Sequence, residues 1–260
     1  MGAEALAIET RGLVRAFGAY RAVDGIDLEV PRGCCYGFLG PNGAGKSTTI
    51  RCLTGLLRPT AGTLTILGLD PARSEVEVKR RVGVVPEDLA LFERLTGAEM
   101  LSFVGRVHGL DRRELERRAG DLLDLMDLGA AADQLAGEYS HGMRKKLALA
   151  AALLPGPELL FLDEPFEGID AVASRVIKDL LASFVARGGT VFLTSHVLEI
   201  VERLADVIGV IHQGRLVAQG PLKTLAADAG EGKTLERIFL DLVGAPSAAV
   251  SGLDWLGGRS

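Results

Sequence analysis

The sequence predicts an α/β fold with a mixed sheet core, antiparallel strands near the N-terminus and an inserted all-helical subdomain. Short apolar runs alternate with segments of helical periodicity along most of the 260 residues, as in a sheet covered by helices. Alternation of period two occurs near the N-terminus, where it favours antiparallel strands with one buried face. Residues 96–155 are almost wholly helical in pattern, which predicts the insertion.

The predicted strands fall into two groups. Residues 5–9 and the alternating Ile26, Leu28 and Val30 are expected to form the antiparallel part. Residues 34–39 are continuously apolar, which is typical of a strand covered on both faces. Further buried strands are predicted at residues 82–85, 159–162, 190–194 and 207–211. The helical segments between them favour parallel crossover connections.

The helical subdomain carries recognisable start signals. Thr96 and Glu99 form a capping-box pattern that opens a helix ending near His108, and Asp111 is placed to cap the next helix. We therefore divide the chain into an α/β core at residues 1–95 and 156–225, a helical subdomain at 96–155, and a C-terminal helix and tail at 226–260. The tail is expected to be flexible, because residues after Gly244 are small and rich in Gly, Ser and Ala.

Composition and charge exclude several classes of protein. The chain is 48% hydrophobic with a net charge of −5, so it is neither disordered nor a general nucleic-acid binder. It has no signal-peptide pattern, and its longest apolar stretch, residues 147–162, is interrupted by Pro155, Gly156 and Pro157. A membrane span needs about 20 mostly apolar residues. We therefore expect a cytoplasmic protein, with buried thiols at its three cysteines.

Residues 40–47, which read GPNGAGKS, form a phosphate-binding loop pattern between a buried strand and a helix. Glycines let the backbone N–H groups surround a phosphate, and the helix N-terminus adds about half a positive charge. Lys46 would supply a full charge to the β- and γ-phosphates, and Ser47 a hydroxyl to Mg²⁺. This pattern predicts a nucleotide site.

A second strand must bring a carboxylate to the same magnesium ion. The apolar residues 159–162 are followed by Asp163 and Glu164, where the strand reaches the edge of the sheet. Asp163 would hold the metal, directly or through water, and Glu164 would act as general base on the attacking water. The two motifs together predict a nucleoside triphosphatase.

Five further features resemble those of the ATP-binding cassette (ABC) ATPases. Residues 139–146, YSHGMRKK, resemble the family's signature motif, whose commoner form is LSGGQ. Residues 168–170 resemble its D-loop, and His196 its switch histidine. Phe17 stands where the adenine-stacking aromatic is found, although Tyr20 is close by and either residue could belong to the core. Glu87 falls at the Q-loop in place of the usual glutamine, where it adds negative charge beside the γ-phosphate.

The resemblance, which covers residues 6–220, implies a P-loop NTPase of ABC type. It also implies that two chains sandwich two ATP molecules, with Ser140 and Gly142 meeting the nucleotide of the other chain. Asp170 would transmit changes across that interface. Catalytic roles are expected for Glu164, His196 and Lys46, and metal contacts for Ser47, Asp163 and Glu87. Nucleotide contacts are expected at Phe17, Gly40, Pro41, Asn42, Gly43, Ala44, Gly45, Lys46, Ser47, Thr48, Glu87, Ser140, Gly142 and Asp170.

The function that the resemblance favours is the ATP-binding subunit of a transporter whose membrane path is a separate integral-membrane permease. The Ser-His-Gly-Met form of the signature favours an exporter. The permease would dock near residues 87–94 and hold the chain on the inner face of the membrane. Three alternatives stay open: an importer subunit, an ABC ATPase acting on ribosomes or DNA, and a non-enzymatic ATP-binding regulator.

Overall fold

Residues 5–228 and 235–244 are described by a computed structural model of the chain, and they contain two stacked sheets. The smaller sheet is antiparallel, with β1 at its centre, pairing with each of the other three strands. Its strands are β1 (Leu6–Phe17), β2 (Tyr20–Ile26), β3 (Glu29–Pro31) and β5 (Ala61–Ile66). The predicted antiparallel part is therefore confirmed. β1 runs eight residues beyond the predicted end, where apolar residues do not alternate regularly, and β5 was not predicted, although Leu64 and Ile66 alternate with threonines there.

The larger sheet has six strands in the order β10-β9-β4-β8-β7-β6. All neighbouring pairs are parallel except β9 and β10. The strands are β4 (Cys35–Leu39), β6 (Val82–Val85), β7 (Leu159–Asp163), β8 (Thr190–Ser195), β9 (Val207–His212) and β10 (Arg215–Pro221). All five strands predicted from continuous apolar runs are present. β10 is half exposed at the sheet edge and lacks such a run, so it escaped prediction.

The larger sheet is buried on both faces, which explains the continuous apolar runs. On one face Tyr36, Phe161 and Phe192 pack toward the antiparallel sheet, and the rings of Tyr36 and Phe192 stack with centroids 5.4 Å apart. On the other face Leu39 and Leu193 pack against the helices. Because both faces are covered, the carboxyl ends of the strands are the expected place for a nucleotide-sized ligand.

Three helices begin at capping residues that the sequence carries. The Thr96–Glu99 capping box is present, and Asp111 and Ser140 cap the two helices that follow. The helices are α1 (Lys46–Leu53), α2 (Glu75–Arg81), α3 (Gly97–Val107), α4 (Arg112–Leu125), α5 (His141–Leu153), α6 (Ala171–Ala186), α7 (Leu198–Leu204), α8 (Leu222–Asp228) and α9 (Leu235–Val243). Helices α3, α4 and α5 lie between β6 and β7 in sequence, where a helical insertion was predicted.

Two other expectations concern the termini and the cysteines. The predicted flexible tail after Gly244 lies outside the described residues. All three cysteines are buried free thiols, as predicted, and burial raises the pKa of the Cys35 thiol to about 12. No helix in residues 5–228 or 235–244 combines the length and apolar character that crossing a bilayer requires.

Candidate active site

A cavity of about 450 Å³ lies at the carboxyl ends of the central strands, within the size range of small-molecule sites. Ten of the residues that line it were predicted to contact nucleotide or metal or to take part in catalysis: Phe17, Asn42, Gly43, Gly45, Lys46, Ser47, Thr48, Glu87, Glu164 and His196. Three more residues line it without having been assigned a role: Tyr20, Ala22 and Glu167.

The loop between β4 and α1 is shaped by close backbone packing. A side chain at Gly45, whose φ is +111°, would collide with the carbonyl oxygen of Ala22, and one at Gly40 would collide with that of Ile211. The Lys46 ammonium donates to the carbonyl oxygens of Gly40 at 2.8 Å and Pro41 at 3.4 Å. These contacts fix the backbone conformation of the loop, and the Lys46 side chain folds back onto the loop carbonyl groups.

The two acids at the end of β7 are fixed by a threonine on the neighbouring strand. The Thr194 hydroxyl donates to Oδ1 of Asp163 at 2.6 Å and accepts from the backbone N–H of Glu164 at 3.0 Å. Both acids are buried. Sequence reasoning missed this role of Thr194, because it follows from the β7–β8 register, which places Thr194 opposite Asp163.

The Glu164 carboxylate lies at the centre of the cavity wall. Its Oε2 is 2.9 Å from Nδ1 of His196 and accepts the His196 backbone N–H at 3.2 Å, while Oε1 is 3.8 Å from the Lys46 ammonium. Its backbone has φ of +49°, a left-handed conformation that is uncommon for a residue other than glycine. Such strain occurs at sites where surrounding contacts hold a side chain in a required direction.

Two aromatic rings and one further acid lie at the cavity rim. Phe17 is about half exposed, and the Arg15 guanidinium lies 4.4 Å from its ring centroid. Tyr20 is exposed and lines the cavity beside it, so neither ring belongs to the core. Desolvation raises the pKa of Glu87, and the charges of Asp163, Glu167, Asp88 and Glu164 add to this effect.

Other predicted residues do not line this cavity. Gly40, Pro41 and Ala44 shape the loop, and Asp163 lies behind Glu164. Ser140, Gly142 and Asp170 are at the N-termini of α5 and α6, where Ser140 accepts from the N–H of Met143 and Asp170 from that of Ala173. These helix starts adjoin each other, because the His141 ring lies directly against Gly168.

A family model described as ABC transporter matches residues 23–167, more than half of the chain. This chain belongs to the ABC transporter family. The match includes the phosphate-binding loop, the signature resemblance at residues 139–146, and both acids that follow β7. Phe17, Asp170 and His196 lie outside it.

Relatives and solved structures agree with this membership. The daunorubicin/doxorubicin resistance ATP-binding protein DrrA of Streptomyces peucetius is 45% identical over 224 residues, which cover 86% of this chain and 68% of the relative. The bacitracin transport ATP-binding protein BcrA of Bacillus licheniformis is 36% identical over 84% of this chain and 71% of its own. A structure titled ATP binding subunit of ABC transporter superposes with a TM-score of 0.86 at 31% identity, covering 91% of this chain and 99% of that one.

These findings establish the class of activity. The chain is an ATP-binding subunit of the ABC transporter type, an ATPase whose hydrolysis is coupled to transport. Its fold is the mixed α/β fold of such subunits, as the sequence predicted.

Proposed function

We propose that this subunit hydrolyses Mg²⁺-ATP as a dimer and powers export of antibiotic-like compounds through a separate permease. The observation that carries the hydrolytic part is the convergence of Lys46, Ser47, Glu164 and His196 on one cavity. Support for export comes from relatives named for daunorubicin resistance and bacitracin transport.

The phosphate-binding loop and the rim aromatics would hold ATP. The backbone N–H groups of residues 42–48 would surround the phosphates at the start of α1, and Lys46 would exchange its loop carbonyl partners for phosphate oxygens. Phe17 offers a half-exposed ring for the adenine, beside Tyr20.

The donor set suits Mg²⁺, which prefers oxygen ligands and keeps few protein contacts when it binds with phosphates. The Ser47 hydroxyl and the Asp163 carboxylate would hold it, with Glu87 nearby. The described residues contain no cluster of three His, Cys, Asp or Glu side chains able to hold a metal by themselves. When bound, Mg²⁺ neutralises charge on the β- and γ-phosphates.

Glu164 would serve as the general base. It accepts a proton from water as the water oxygen attacks the γ-phosphorus and the bond to the ADP oxygen breaks. His196, 2.9 Å from the carboxylate, orients it and stands at the rim to contact the γ-phosphate. Lys46 neutralises charge on the phosphate oxygens.

The signature residues would complete the site of a second copy of this type of subunit. Ser140 is exposed and begins α5, whose N-terminus attracts anions, yet it does not line this chain's own cavity. In a two-fold dimer Ser140 and Gly142 would approach the partner's γ-phosphate, with Asp170 at the same face.

The permease would dock in an apolar cleft of about 370 Å³ between the larger sheet and the helices α3 and α5. Leu89 and Leu91, from the predicted docking segment, line it together with Met100 and Val104. Such a contact would place the subunit on the inner face of the membrane.

The proposal is tested by blocking hydrolysis without blocking binding. Glu164→Gln removes the base but retains the shape of the side chain, so we expect turnover to fall about 100- to 10,000-fold. ATP should still bind, and the variant should become a dimer with Mg²⁺-ATP in analytical ultracentrifugation.

Two results would count against the proposal. Wild-type turnover in the Glu164→Gln protein would remove Glu164 as the base. A monomer at all ATP concentrations would remove the sandwich dimer. As a control, adding Ser140→Arg to Glu164→Gln should abolish the dimer while ATP still binds to the monomer.

A further inference from the structure

Lys145 is a buried cation that the predicted mechanism does not use. It lies in the second turn of α5, five residues after Ser140, and only 4% of its surface is exposed. Its ammonium donates to the carbonyl oxygen of Glu164 at 2.7 Å and to that of Glu167 at 2.6 Å. Both acceptors are backbone atoms of the turn that follows β7.

Burying an ammonium group is costly unless its protons are paired. Among the described residues, no carboxylate oxygen forms an ion pair with the Lys145 ammonium within 4.0 Å. Its hydrogen-bond partners there are the two carbonyl oxygens. Desolvation lowers the pKa of Lys145, and the acids at residues 167, 164 and 87 oppose that shift. Removing the ammonium would leave the carbonyl oxygen of Glu164 without this partner in a buried place and that of Glu167 without it in a partly buried one.

These hydrogen bonds complete the fixation of Glu164. Thr194 holds its N–H, His196 contacts its carboxylate, and Lys145 holds its carbonyl group. With both ends of one residue held, its strained φ of +49° is maintained, and this angle sets the direction of the side chain. Glu167, the other residue held by Lys145, also lines the cavity.

We propose that Lys145 is a positioning residue that aims the Glu164 carboxylate at the attacking water. Because it is part of α5, it also ties the helix that carries Ser140 to the backbone of the base. The inference rests on the role proposed above for Glu164. A displacement of about 1 Å in a catalytic group can cost about 100-fold in rate, so a small change in this turn is sufficient.

The test is Lys145→Met in the full chain, which retains the length and removes the donors. We expect kcat for ATP to fall about 10- to 100-fold, while the Kd for ATP changes by less than about threefold. Lys145→Gln, with N–H donors on a shorter side chain, should give an intermediate kcat, and it provides a milder variant if Lys145→Met does not fold.

Arg118→Met is the matched control. Arg118 donates to the carbonyl oxygen of Leu154, at the other end of α5, at 3.0 Å. Its loss should lower the melting temperature comparably and leave kcat within about twofold. Equal losses of kcat in the two variants, or an unchanged kcat in Lys145→Met, would overturn the inference.

A double variant separates this inference from the proposed function. In the Glu164→Gln background, Lys145→Met should change the residual turnover by less than about twofold, because the group that it positions is absent. A further tenfold fall in the residual turnover of the double variant would show that Lys145 acts on a group other than the Glu164 carboxylate. If Glu164→Gln itself retained wild-type turnover, the assignment of Glu164 as the base would fail. If Glu164→Gln lost turnover but Lys145→Met retained it, Glu164 would remain the base and Lys145 would have only a structural role.

Discussion

Glu87 makes the nucleotide cavity more acidic than a glutamine at the same place would. It lines the same cavity as Glu164 and Glu167 and interacts electrostatically with Asp163. Desolvation and these neighbouring charges raise its pKa, which shows that its ionised form is disfavoured there. A bound triphosphate adds further negative charge. Magnesium therefore has more electrostatic repulsion to offset here than it would with a neutral residue at position 87.

We therefore expect Glu87→Gln to bind ATP more tightly when magnesium is removed. The gain should be about 3- to 10-fold, since a screened interaction between unit charges is worth on the order of 1 kcal/mol. It should shrink with magnesium or high salt. Equilibrium titration with ATP measures it. Asp88→Asn, next in sequence but outside the cavity lining, is the control, and equal gains in both variants would contradict the local explanation.

Among the elements, α4 and α5 are joined by a cluster of charged side chains. Glu114 in the first turn of α4 pairs with Arg117 and Arg118, and Arg118 reaches the last turn of α5. Hydrogen bonds from Arg117 and then Arg118 lower the pKa of Glu114 to about 2. The tie joins α4 to the end of α5 that is remote from Ser140.

The lowered pKa predicts the pH range in which this tie stabilises the fold. A carboxyl whose folded pKa is depressed contributes stability above its unfolded value, 4.5, and that contribution is lost as pH falls toward about 2. The melting temperature of Glu114→Gln should therefore be lower than that of the wild type at pH 7. The two melting temperatures should converge as the pH falls from 4.5 to about 2. Glu116→Gln, whose partner Arg112 is almost fully exposed, should show little difference. A difference in melting temperature between Glu114→Gln and the wild type that does not change with pH would contradict this explanation.

At the scale of the whole molecule, two surfaces would have to work together. One carries the nucleotide cavity and the starts of α5 and α6, and the other is the apolar cleft beside α3. Phe92 and Phe103 flank the cleft residues Leu91 and Val104 in sequence, and their rings meet edge to face at 5.2 Å. Exposed aromatic side chains beside an apolar cleft are typical of a protein interface.

We expect Phe92→Asp to weaken association with the membrane subunit at least about 10-fold, as a charge on an apolar contact does. ATP binding should be unchanged. Leu125→Asp is the matched control, since Leu125 and Phe92 are both 52% exposed but Leu125 ends α4. Co-purification from solubilised membranes measures both, and equal retention of the two variants would exclude this docking surface.

The local signals that the sequence carries are those that depend on a few neighbouring residues. Continuous apolar runs predicted five strands of the larger sheet, and the capping residues Thr96 and Asp111 predicted two helix starts. The phosphate-binding loop is readable because its glycines, Lys46 and Ser47 act within eight consecutive residues. Strand pairing is not readable in this way, so β5 and β10 were missed.

The sequence by itself determined the fold class, the family and the chemical types that the active site contains, because these are encoded in periodicity and short motifs. Only the tertiary structure decided that Thr194 joins Asp163 to Glu164 and that Lys145 holds the backbone of Glu164 from another helix. Residues 145 and 164 are far apart along the chain, and a hydrogen bond between a side chain and a distant carbonyl leaves no pattern in the sequence. Such contacts arise from the packing of α5 against the end of β7, which is where the geometry of the base is set.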